Sequence, residues 1–184
     1  YLNFDVRAEG NLSAFMQADS LPYMPQEGSL EMVNLGATLA YNGLKVRDLQ
    51  GRIHYDGKDT RILRAEGRMG SSPFRVEGAL QDILAYIYLD STALNANVDF
   101  YSDHLNLDEI LRARPGSKAE QRTDTPYRFD LPSGANIITR VQLREVVFED
   151  LKAEYVNLQA SLVQDLITLH NLKLQIAGGH ISAN

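Results

Sequence analysis

The chain has 184 residues, 44% apolar and 23% charged, with a formal net charge of −6 and no cysteine. That is enough apolar material for a sizeable core, in one ordinary domain or two small ones, and it excludes the disordered class. The missing cysteines exclude disulfides, thiolate zinc sites and cysteine nucleophiles. An acidic chain with no basic stripe is also a poor match for nucleic acid or for the charge of an anionic membrane.

The chain opens on Tyr1 in a strand-like stretch, Leu2 to Val6, and stops soon after Gly178-Gly179-His180-Ile181, which reads as a piece of a longer protein. Glu9-Gly10-Asn11, Asn42-Gly43 and Asp56-Gly57 punctuate apolar-patterned runs as turns, the last two as strong hairpin dipeptides. Glu66-Gly67 and Gly70-Ser71-Ser72-Pro73 supply further turns or bulges. Phe74 to Gly78 then alternates apolar and polar residues. Asp82 to Leu89 is apolar nearly all round and fits either two buried helical turns or a strand.

The clearest alternation runs from Thr92 to Ser102. Leu94, Ala96, Val98 and Phe100 point one way and Asn95, Asn97, Asp99 and Tyr101 the other. One wet face argues for antiparallel strands. Asp108 to Leu111 predicts a single helical turn capped by Asp108. Residues 112–134, rich in charge, proline and glycine, predict a flexible linker.

Alternation returns at Leu158 to Leu162 and at Leu172 to Ile176. Between them the apolar phase slips, from odd Ile167 and Leu169 to even Leu172, Leu174 and Ile176, which predicts a β-bulge or sharp bend. The run Leu49-Gln50-Gly51-Arg52-Ile53, with the strand, glycine turn and short strand after it, resembles Leu158 to Leu162 and its sequel. The expectation is therefore a mainly β fold: a curved antiparallel sheet of two repeated β units, 1–111 and 135–184, with one or two very short helices.

No metal or catalytic site emerges. His54, His104, His170 and His180 form no metal-type pair, and the acidic groups around Asp56, Asp108 and Glu145 read as solvated hairpin tips. The glycines lack a phosphate-loop context, and no serine sits in a nucleophile elbow. The feature left is the apolar face: Phe74, Val76, Leu94, Val98, Phe100, Leu158, Leu162, Leu172, Leu174 and Ile176. It is either an ordinary sandwich core or a lipid-facing groove.

The segment Gly67 to Arg112 resembles the C-terminal region of AsmA-like proteins. The resemblance rests on Gly78 to Tyr86, on the strand Val98 to Ser102, on Leu105 to Leu111 and on the charged stretch after it. Tyr155 to Ile181, with its late Gly178-Gly179, is similar to the unit that family places next; the likeness spans residues 44–184. It implies a periplasmic β structure of a Gram-negative bacterium, held to the inner membrane by a helix outside this chain. It also implies a part in outer-membrane biogenesis or phospholipid transport, with no enzymatic activity and no cofactor. The alternatives from other classes are a structural or adhesive surface domain that binds protein partners through exposed edges, and an accessory domain of an enzyme.

Overall fold

The computed structural model describes residues 2–8, 26–38, 43–57, 59–88, 93–112, 134–163 and 166–183. In chain order these form β1 (Leu2–Ala8), β2 (Gln26–Thr38), β3 (Lys45–Asp56), β4 (Asp59–Met69), β5 (Ser72–Gln81), α1 (Ile83–Tyr88), β6 (Leu94–Ser102), β7 (Leu105–Asn106), α2 (Leu107–Arg112), β8 (Ala135–Phe148), β9 (Leu151–Val163), β10 (Leu166–Ile176) and β11 (Gly179–Ala183). The chain is thus mainly β. The strands join one open sheet in the order β1-β2-β3-β4-β5-β6-β8-β9-β10-β11, and β7 lies beside β8 past the end of β6.

Two antiparallel meanders, β1 to β6 and β8 to β11, therefore meet at a parallel seam. The expectation of antiparallel pairing throughout is wrong there. β6 has the clearest alternation in the chain, yet it runs parallel to β8 from Leu94↔Ala135 to Ser102↔Leu143. Alternation reports that one face is wet; it carries no information on the direction of the neighbouring strand. Parallel neighbours need a crossover of about a dozen residues or more. The chain between Ser102 and Ala135 supplies it, with β7 and α2 in its first part. The predicted linker at 112–134 falls almost entirely on residues 113–133, outside the described residues.

Polar side chains lock the seam. The Ser102 hydroxyl lies 2.6 Å from the Pro73 carbonyl oxygen and 2.9 Å from that of His104. Ser72 is fully buried, and its Oγ accepts the Asn106 N–H at 2.9 Å. The Glu109 carboxylate accepts the Ser71 N–H at 2.6 Å, and the Asp108 carboxylate accepts the Glu149 N–H at 2.6 Å. α2 is thereby tied to the β4–β5 turn on one side and the β8–β9 turn on the other. Asp108 is not the cap the sequence suggested: Asn106 Oδ1 accepts the Glu109 N–H at 3.2 Å, and Asp108 lies inside the first turn.

Other local expectations fare differently. Ile83 to Tyr88 is helix, opened by the Tyr86 N–H bonding back to the Asp82 carbonyl at 2.8 Å. Asp56-Gly57 is the β3–β4 turn, and Gly70-Ser71 the β4–β5 turn. Glu66-Gly67 is not a turn but marks a bulge, since it lies within β4, paired to β5, and the pairing to β3 shifts between Arg68↔Arg47 and Glu66↔Gln50. Asn42 and residues 9–11 lie outside the described residues. The phase slip is a bulge in β10, where pairing to β9 shifts between His170 and Lys173 and Asn171 takes φ 52°. At Gly78 a glycine is required for contact reasons, because a Cβ there would collide with the backbone of Asn97 and Val98 on β6.

Candidate functional site: the apolar face of the sheet

Side chains of directly paired residues lie on the same face of a sheet. The ladder therefore shows which residues share a surface. Leu30 pairs Ile53, and Ile53 pairs Ile62. Ala65 pairs Val76, and Val76 pairs Phe100. Phe100 pairs Val141, and Val141 pairs Leu158. Leu162 pairs Ile167, and Leu174 pairs Ile181. One apolar face thus continues from β2 to β11.

The structure places all ten residues singled out from the sequence on this face. Phe74 stacks on Phe100, with ring centroids 6.4 Å apart and planes 6° from parallel. Val98 stands between Gly78 and Thr139, Leu94 beside Ala135, and Ile176 between Ala153 and Gly179. Leu162 is buried, and the other nine are half-buried.

They do not share one environment. A closed cluster of Leu105, Leu143, Val146 and Val156 forms where α2 covers the sheet, with Leu107 and Ile110 packed on it. Phe100, Leu158, Leu172 and Leu174 pack against that cluster, so these four belong to a core. Beyond the bulge the face lies open on β10, where Ile167 is 48% exposed and Leu169 56%, while Leu162 opposite Ile167 on β9 stays buried. The alternation Ile137, Thr139, Val141, Leu143 in β8 could have revealed half of the cluster from sequence. Its other half, Val146 with Ala153, could not be read that way. Both paired strands switch parity there, at Arg144-Glu145 and Glu154-Tyr155, without any change of register.

The opposite face is polar and laced with cross-strand ion pairs. Arg52 bonds Glu31 at 3.2 Å, and Arg140 grips Asp99, with Nη2 at 2.8 Å from Oδ2. The bonded guanidinium of Arg140 holds the Asp99 carboxyl below its usual range. Hydrogen bonds from Arg64 and Gln50 do the same for Glu66. Among the described residues, no three His, Asp or Glu side chains are placed to hold a metal ion. Ser161 Oγ lies 3.2 Å from His170 Nε2, but both are open to solvent on the polar face. No helix of the described residues is long and apolar enough to cross a membrane.

No family model matches the chain, and neither a curated protein nor a solved structure does.

Proposed function

We propose that the chain is a non-enzymatic, AsmA-like periplasmic module of outer-membrane biogenesis that holds or conducts phospholipid along its apolar sheet face. One observation carries this reading: the face continues across the strands from β2 to β11 and stays partly open on β10, where α2 does not cover it. Acyl chains laid there would gain roughly 0.8 kcal/mol for each methylene buried. Two repeated β units sharing one curved sheet lengthen such a surface, and the inner-membrane anchor belongs to a segment outside this chain. The test is native mass spectrometry with lipid extraction on protein purified from a Gram-negative periplasm. Leu169→Asp and Ile167→Asp change exposed positions, so the fold survives them. Co-purified phospholipid that both substitutions abolish supports the reading; protein that carries no lipid in any form sinks it.

The second reading, a structural or adhesive domain that binds protein partners, is favoured by β11. This strand lies at one edge of the described sheet, pairs β10 alone and has every residue exposed. A strand like that is a template for pairing with another chain.

A further inference from the structure

On the polar face a groove of about 670 Å³ crosses the strands from β3 to β9. A smaller hollow of about 200 Å³ lies beyond it between β9 and β11, and Tyr155 lines both. The larger volume falls within the range of small-molecule sites, roughly 300–1,000 Å³.

Tyr155 is conspicuous on two counts. It takes φ 51°, in the left-handed region, and its side chain is left 58% exposed. Left-handed residues also interrupt β2, β3 and β10, but there they are Asn34, Asp48 and Asn171. Asn and Asp tolerate this conformation because their short polar side chains bond locally. A tyrosine has no such compensation, and burial of its ring does not supply one here. Strained backbone kept at an exposed aromatic residue inside a groove points to binding.

The groove's other side chains define the ligand. Among the described residues, the side chains of Asp48, Asp103, Gln142 and Arg144 have no hydrogen-bond or ion-pair partner. Arg64 is paired with Glu66, and Arg75 lies beside Glu77 with its guanidinium 4.4 Å above the Tyr101 ring. The unpaired charges are thus mixed in sign, which suits neither a polyanion nor a polycation. Most of the groove lies over paired strands, and the pairing lapses only at separate points, at Asp48 in β3 and at Arg144 opposite Tyr155, so an extended peptide finds no continuous row of main-chain partners there. A hydroxyl both donates and accepts. It can donate to the Asp48 and Asp103 carboxylates and accept from the Arg144 guanidinium and the Gln142 amide. The flat C–H face of a pyranose suits an exposed aromatic ring such as that of Tyr155.

We propose that this groove binds a neutral oligosaccharide across Tyr155. The groove's lining takes in Phe74 and Leu143 of the apolar face, but the lipid test at Ile167 and Leu169 and the saccharide test at Tyr155 and Arg144 use different positions, so either proposal can fail alone. Saturation-transfer NMR and calorimetry with maltohexaose, cellohexaose and chitohexaose test it, with a heparin hexasaccharide and a random-sequence peptide pool as competitors. At least one neutral hexasaccharide should bind. Tyr155→Asn should weaken that binding at least tenfold while raising the melting temperature, since Asn relieves the strained backbone. A purely structural Tyr155 would not separate those two effects. Arg144→Gln, at an exposed position, should also weaken binding, and Leu151→Ser, exposed in the β8–β9 turn region, should not. Silence from all three hexasaccharides overturns the proposal. So does binding that survives Tyr155→Asn and Arg144→Gln, or a groove that takes the heparin fragment or peptide instead.

Discussion

Strands β8, β9 and β10 carry one apolar face along their whole length, through the parity switches and the bulge, yet its two halves behave differently. In one half Leu143 and Val156 are 7% and 5% exposed, beneath Leu107 and Ile110 of α2. In the other half Ile167 and Leu169 on β10 are 48% and 56% exposed, although Leu162 opposite Ile167 on β9 is 7% exposed. The strands are equivalent; the cover is not. Around Leu143 the apolar sheet face becomes a core because a second layer reaches it, a helix of six residues.

The sharpest way to break this comparison is to place the same substitution in each half. Leu143→Ala should cost about 3 kcal/mol, as for a large-to-small change in a closed core. Leu169→Ala should stay within about 0.5 kcal/mol, as for an exposed site. Urea unfolding midpoints with a common slope measure both. Equal losses would mean that the second half is covered as well, and would remove the open surface on which the lipid reading depends.

A smaller effect tests how the cover is held. Glu109 and Asp108 each accept a backbone N–H from a hairpin turn, on opposite sides of the seam. Glu109→Gln and Asp108→Asn should each cost on the order of 1 kcal/mol, the usual net worth of such a bond. The double variant should raise hydrogen exchange at Leu105, Val146 and Val147 before it does so in β1 to β4. Uniform loosening would show that α2 is held by its apolar contacts alone.

Much of the sheet was legible because alternation is a direct record of which side chains face water. That is why ten residues picked from sequence all fall on one face, and why the phase slip before Leu172 located the bulge at Asn171. The parallel seam was not legible, since β6 writes the same pattern whichever way β8 runs. The division of the face into core and open surface was hidden for a related reason. It depends on Asn106, Asp108 and Glu109 aiming a short helix at residues about 40 positions away in sequence, such as Val146 and Glu149. The left-handed Tyr155 was likewise invisible, because nothing in its residue type favours that conformation.

The smallest expected effect is electrostatic, and its sign can be reversed. The ladder sets Glu145 directly opposite Glu154, a like-charge pair that is unfavourable by itself. Lys152 stands between them, with Nζ 2.6 Å from Glu145 and 3.3 Å from Glu154, and His104 Nδ1 lies 2.9 Å from Glu145. Hydrogen bonds from Lys152, then from His104, hold the Glu145 carboxyl below its ordinary value of 4.5. A carboxyl depressed in the folded state contributes stability at neutral pH. That contribution should begin to fade as pH falls past 4.5 and be gone below the lowered folded value. Melting temperatures from neutrality to about pH 3 should therefore fall less steeply in Glu145→Gln than in the parent chain. Lys152→Met should invert the trend. With the cation gone, the two carboxylates repel, and mild acidification, which neutralises one of them, should stabilise the variant relative to its own neutral-pH value. If Lys152→Met instead tracks the parent's acid profile, the three charges are solvated independently, and the β8–β9 pairing owes nothing to Lys152.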